Sequence, residues 1–197
     1  MEPSLGTFEE LENEIDKLKE EFYGSSTKKL FFNKSQKFEC ANQITSKLPI
    51  EMLLMNTCRP ILNDAIKIIY IDYPIFKSYA TPETFDVISD YIIQVFRDFK
   101  SKHGNLDVVV NLDTFTISAF ERYKHIIKIF CDKCFQQQNE FSKSLSLFSI
   151  YNVPNAFDAI KRAITPFMLE EVRSKIRLFG KVESEPILDL IRRSERV

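Results

Sequence analysis

Two cysteines three residues apart, in Cys131-Asp132-Lys133-Cys134, have the spacing of a redox or zinc-binding pair. A redox pair of this kind belongs at the start of a helix that follows a strand, where the helix dipole lowers the thiol pKa. These two fall inside a helical pattern instead. A zinc site needs two more ligands, and Cys40 and Cys58 are distant in sequence and unpaired in spacing. Core packing is the favoured reading, with zinc and redox use as the alternatives. The only histidines are His103, in the polar Ser101-Lys102-His103-Gly104 turn, and His125, beside Ile126 and Ile127 on a helix. The first is expected to be solvated and the second to pack. The Gly-x-Ser-x-Gly elbow, the phosphate-binding glycine loops and the Cys-x5-Arg loop are all absent, so no enzyme chemistry is expected. Basic residues remain: Lys161, Arg162, Arg173, Lys175, Arg177 and Lys181 surround one segment near the C-terminus. Arg173, Lys175 and Arg177 alternate with Val172, Ser174, Ile176 and Leu178, which on an edge strand places the three charges on one exposed face. A solvated face and a patch for anionic lipid headgroups are the two readings. In the second, each charge contributes about 1 kcal/mol near a membrane.

The elements that position these residues come from a chain of 197 residues, long enough for one domain with an extension and a real core. Hydrophobic content of 44% and charged content of 28% mark a globular protein, and a net charge of -1 supplies no field for nucleic acid. Eighteen Phe and no Trp suit an oily interior, whether ordinary core or cavity lining. Four Gly are too few for a hairpin-rich fold. The chain opens Met1-Glu2-Pro3-Ser4 without a secretory pattern, and no apolar run approaches the roughly 20 residues of a membrane span. Cysteine usage suits a reducing compartment, so a cytoplasmic protein is expected, with peripheral membrane association.

Phe8, Leu11, Ile15, Leu18 and Phe22 recur at helical spacing after Thr7, a cap, and the stripe ends near Tyr23-Gly24-Ser25-Ser26-Thr27. It packs on the body or, as the alternative, takes a protein partner through residues 7–22. Phe38–Ser46 and Ile50–Asn56 read as short helices. Ala65–Tyr73 reads as a strand ending at Pro74, and Thr81-Pro82-Glu83 opens a helix that runs to Lys100. Leu106–Leu112 is an unbroken apolar run, as in a strand buried on both faces. A helix over about Ser118–Gln138, a strand over Leu145–Tyr151, a helix over Asn155–Ile164, a strand over Lys175–Phe179 and a helix near Pro186–Arg193 follow. This alternation predicts an α/β fold with a twisted, mostly parallel sheet and covering helices. Fold class alone assigns no function.

Asn152-Val153-Pro154 after an apolar strand, a helix bearing Phe157, then Thr165-Pro166-Phe167, Ser174-Lys175-Ile176, a strand and Gly180 resemble, in that order, the Sec14-like or CRAL-TRIO lipid-binding family. Cys58-Arg59-Pro60 resembles the family's Gly-Arg-Pro. Val109-Val110-Asn111-Leu112-Asp113-Thr114-Phe115-Thr116-Ile117-Ser118 resembles its strand-turn pattern of apolar residues, Asp-Leu and Gly-x-Ser. The likeness covers roughly Arg59 to Gly180, and the domain is placed at 58–197 behind a helical extension at 1–57. It implies a gate-like helix over a cavity that holds one hydrophobic molecule, with Phe157, Ile160 and Ile164 facing inward and Phe167 at the hinge. Phe148, Ile150, Val110, Leu112 and Phe115 then form the facing floor, and Lys161, Arg162, Arg173, Lys175 and Arg177 meet membrane headgroups. No metal is implied and no cofactor beyond a bound lipid. The implied partners are a hydrophobic lipid and, transiently, an anionic membrane surface, with no nucleic acid. A Sec14-like adaptor module without a functional cavity is the alternative. The sequence departs from the family in four places. The Leu-Leu-Arg-Phe-Leu-Arg-type lead-in is missing from residues 1–58, and the strand-turn Gly is Thr114 or Phe115. The segment ahead of Asn-x-Pro reads Ser142-Lys143-Ser144-Leu145-Ser146, without the family's acidic-basic code, and the Leu-Pro and Tyr-Gly-Gly ending is absent.

Overall fold

The computed structural model describes residues 8–25, 34–64, 66–136, 140–155 and 157–194. Thr7, the Ser26-Thr27 part of the linker, Ala65, residues 137–138 and Ala156 lie outside the described residues, as does the side chain of Phe167.

Three helices come first: α1 (Phe8–Ser25), α2 (Lys34–Lys47) and α3 (Ile50–Thr57). The α/β part then runs β1 (Cys58–Leu62), β2 (Lys67–Asp72), α4 (Tyr73–Tyr79), α5 (Phe85–His103), β3 (Leu106–Asn111), α6 (Ile117–Gln136), α7 (Glu140–Ser144) and β4 (Leu145–Tyr151). It closes with α8 (Phe157–Ile164), a 3-10 turn (Thr165–Phe167), α9 (Glu170–Ser174), β5 (Ile176–Leu178) and α10 (Lys181–Ser194). The strands lie side by side in chain order, with β1 antiparallel to β2 and the other pairings parallel. Because each parallel crossover steps the same way, the connecting helices gather on one face of the sheet.

Register decides what each face carries. Ile69–Val108–Phe148–Ile176 and Ile71–Val110–Ile150–Leu178 run across the sheet as two apolar rows. They face the helical layer, where most of these side chains join one large core. Tyr70–Val109–Ser149–Arg177 is the row of the opposite face. There Tyr70, Val109, Tyr151 and Ile61 meet Leu188 and Ile191 of α10 in a second, smaller core. Val108 and Val109 are thus both buried, on opposite faces, as the unbroken apolar run of β3 predicts.

The helical extension shares the main core. Leu11, Ile15 and Leu18 of α1, Cys40 and Ile44 of α2, and Leu53 and Leu54 of α3 are buried in the same cluster as the sheet residues. The amphipathic stripe of α1 is therefore covered within the molecule.

Several elements differ from the sequence reading. β1, a short edge strand holding Pro60, is formed by pairing Cys58–Leu62 against Ile71–Lys67. β2 gives way to helix α4 at Tyr73, because Asp72 caps the turn through the Ile75 N–H (3.0 Å) and Pro74 fits its first residues. α10 starts at Lys181, with Pro186 inside it. The last strand begins at Ile176: Arg173 lies in α9 and Lys175 in the turn that follows, so Arg173, Lys175 and Arg177 do not share one strand face.

Candidate functional site

The gate-like segment follows β4 and packs beside α6 into the main core. Asn152 takes φ 55, turning the chain sharply off β4, and Phe157 N–H donates to Pro154 O (2.9 Å) to start α8. The spacing of Phe157, Ile160 and Ile164 puts them on one side of this two-turn helix. Phe157 is 6% exposed and Ile160 2%, and both belong to the main core. Ile164 of the same helix packs against it half-buried; of the expected floor residues, Ile150 and Phe115 are buried in that core, while Val110, Leu112 and Phe148 pack against it half-buried. Val110, Phe148 and Ile150 reach it from the same sheet face. Leu112 and Phe115 come from the turn after β3, where Phe115 N–H donates to Leu112 O (2.9 Å) and the Phe115 ring meets Tyr73 edge-on at 4.9 Å. The expected gate and floor residues whose side chains are described thus form one continuous apolar cluster. Phe167 stands in the 3-10 turn directly after α8.

A polar system missed by the sequence reading lies at the C-terminal ends of β2, β3 and β4. Asp72 Oδ2 accepts from the Tyr70 hydroxyl (2.8 Å) and from the Asn111 side-chain amide (3.3 Å). Asn111 Oδ1 accepts in turn from the Asn152 side-chain amide (2.8 Å) and from Asp113 N–H (3.0 Å). Asn152 N–H donates to Ser184 Oγ (2.8 Å), and that hydroxyl donates to Gly180 O (2.7 Å) on the way into α10. Burial pushes the Asp72 carboxyl above the ordinary range, against the pull of the Ile75, Tyr70 and Asn111 donors. Beside Asp72 is a crevice of about 80 Å³, lined by Phe8 and Glu12 of α1, Arg59, Asn111 and Arg192 among others. The Arg59 guanidinium lies 4.8 Å from the centre of the Phe8 ring and 5.1 Å from that of Tyr70, its cross-strand partner. The one local sign of this system was Asp72 ahead of Tyr73-Pro74, a helix-start pattern.

The profile of the CRAL/TRIO domain family matches residues 56–195. The chain belongs to the CRAL/TRIO family. No curated protein sequence matches it significantly. Thirteen solved chains match in fold, among them the crystal structure of Sfh5, with a TM-score of 0.54 and 17% identity over 74% of this chain and 55% of that one. At that identity the likeness is one of fold. The chain spans just over half the length of the Sfh5 chain.

Thr114 has φ 62, the left-handed region that favours glycine. Its hydroxyl donates to Asp113 O (2.5 Å) and accepts from Lys77 Nζ, which holds this uncommon conformation. Lys161, Arg162 and Arg173 are exposed. Lys175 Nζ is committed to Ser142 O (2.6 Å) and Glu171 Oε1 (3.1 Å), and exposed Arg177 donates to Ser174 O (3.0 Å) and Ile176 O (2.9 Å). The basic residues are therefore distributed over α8, α9 and β5, not aligned on a strand. Cys131 and Cys134 are buried in α6, where burial pushes their thiols up to about 11 and about 12. His103 is half-buried, its ring 4.6 Å from that of Phe99. No helix of the described residues is long and apolar enough to cross a membrane.

Proposed function

We propose that this CRAL/TRIO chain is a non-enzymatic carrier that holds one hydrophobic lipid between α8 and the sheet. The observation that carries the reading is that Phe157 and Ile160 of α8 share one apolar wall of the core with Val110, Phe148 and Ile150, which lie on one face of the sheet. A lipid chain needs such a wall, because every polar group left facing it would lose water without gaining a partner. Lipid enters when α8 swings away, and the exposed Lys161, Arg162, Arg173 and Arg177 bring the gate to anionic membranes in a cytoplasmic setting.

The test is native mass spectrometry of the purified protein, followed by organic extraction and identification of what co-purifies. Replacing Ile160 with Trp fills the space under α8 and abolishes lipid retention, at a stability cost of about 1–3 kcal/mol. Unchanged lipid content in Ile160→Trp rejects the assignment of that wall. Co-sedimentation should require anionic vesicles and fall as salt rises. A second reading, an adaptor without a working cavity, is favoured by the near-complete burial of Phe157 and Ile160. It predicts no bound lipid and no effect of Ile160→Trp beyond stability.

A further inference from the structure

The crevice at the C-terminal ends of the strands joins two parts of the chain that are far apart in sequence. Its α1 side is Phe8 and Glu12, and its floor is Tyr70, Asp72 and Asn111. The Arg59 guanidinium is in cation–π contact with the Phe8 ring of α1 and with the ring of Tyr70, its partner across the β1–β2 pairing. The Tyr70 hydroxyl then binds Asp72, Asp72 binds Asn111, and Asn111 binds Asn152. Asn152 is the residue at φ 55 from which the chain leaves β4 for α8. Its backbone N–H is tied to Ser184 of α10, and Val153 N–H donates to Phe179 O (3.1 Å). The root of the gate is thus anchored by hydrogen bonds that lead, contact by contact, back to α1.

We propose that α1 is a strap whose docking over this crevice holds the α8 gate shut, through Phe8–Arg59–Tyr70–Asp72–Asn111–Asn152. The physical reason is that each link constrains the next. A guanidinium in contact with both rings restrains the Tyr70 ring, a restrained Tyr70 aims its hydroxyl at the buried Asp72 carboxyl, and that carboxyl orients the amide that holds Asn152. When α1 lifts, Arg59 loses one ring and the crevice opens to water, which competes for Asp72 and Asn111 and loosens the turn at Asn152. Glu12 works against the closed state. Glu12 and Asp72 line the same crevice, and partial burial and the Asp72 charge raise the Glu12 pKa, so docking α1 brings one acidic group toward another. The other charged groups in reach are Arg59 of β1, Asp113 after β3, Lys77 of α4, Arg192 of α10, and Asp16 and Lys19 of α1 itself. The strap is therefore held with built-in opposition, as a device meant to open requires.

The coupling rests on the gate reading only for its consequence. Amide hydrogen exchange of the lipid-free full chain reads it whether or not a lipid binds. Phe8→Ala should speed exchange in both 8–25 and 157–164, by about tenfold, while Val108–Val110 of β3 stay protected. In a Tyr70→Phe background, which keeps the ring and removes the hydroxyl, Phe8→Ala should no longer move 157–164. Glu12→Gln, a near-isosteric change at an exposed position, removes the opposing charge and should slow exchange in both segments, by about threefold. Faster exchange in 8–25 with 157–164 unchanged overturns the proposal, as does an equal Phe8→Ala effect in both backgrounds. If Phe8→Ala unfolds the chain, so that β3 exchanges too, Glu12→Gln decides. Slowing of 8–25 without 157–164, or of neither, rejects the strap.

Discussion

Removing the Asp72 side chain tests the polar system at the strand ends most directly. Asp72 is buried, and its two oxygens take three donors: Ile75 N–H at 3.0 Å, the Tyr70 hydroxyl at 2.8 Å and the Asn111 amide at 3.3 Å. Asp72→Ala deletes a helix cap, at about 1 kcal/mol. It also strands a buried hydroxyl and a buried amide, at about 1–3 kcal/mol each. Relief from burying a carboxyl offsets part of this, so the net loss is about 3–5 kcal/mol, a large share of the roughly 5–15 kcal/mol of a typical domain. Asp72→Asn keeps the cap acceptor but turns a donor toward Tyr70 and Asn111, so its cost is smaller, about 1–2 kcal/mol. Urea unfolding followed by far-UV circular dichroism measures both. The pH dependence has a definite sign. The folded carboxyl holds its proton to higher pH than the unfolded one, so the native state binds more protons in that interval and stability falls as pH rises. This contribution is fully present below the unfolded pKa of about 4 and is lost as pH climbs through the raised folded pKa. Asp72→Asn lacks it, so the gap between wild type and Asp72→Asn should narrow as pH rises. An Asp72→Ala loss under about 1 kcal/mol, or a gap that widens with pH, would refute the reasoning.

Thr114→Gly relieves the left-handed backbone at φ 62 and should stabilise by about 0.5–1 kcal/mol after the entropic cost of glycine, a rise of about 2 °C in melting temperature. A lowered melting temperature would reject the strain. Ile15→Ala should cost about 2–5 kcal/mol, because Ile15 is 2% exposed in the core shared by α1 and the sheet. Val182→Ala, at a position 87% exposed, should stay within about 0.5 kcal/mol; equal effects in chemical denaturation would mean that α1 does not dock. Cys131 and Cys134, with thiols pushed up to about 11 and about 12, should resist iodoacetamide at pH 8 until the chain unfolds. Labelling of the folded protein as fast as a free thiol would contradict their burial.

Much of the architecture was legible in one dimension, because burial imposes its period on the chain. The stripe Leu11, Ile15, Leu18 announced a helix with one covered face, and the run Leu106–Leu112 announced a strand covered on both, which forms over Leu106–Asn111. The gate and floor residues could be named because a helix face and a strand face each repeat locally, and because the order of motifs resembled a known family. What the sequence could not show are the contacts that depend on which strands lie side by side. Asp72, Asn111 and Asn152 meet only because β2, β3 and β4 pair in parallel register, and nothing near any of the three predicts the other two. Arg59 meets Tyr70 only through the antiparallel β1–β2 register, and Phe8 only once α1 docks. The alternation of Arg173, Lys175 and Arg177 misled for the same reason. Alternation makes a strand only where a neighbouring strand accepts its hydrogen bonds, and here β4 pairs with Ile176–Leu178, leaving Arg173 in a helix and Lys175 in a turn. Local periodicity is set by a residue's own burial, whereas hydrogen-bond partners across a sheet are set by register, which only the folded chain decides.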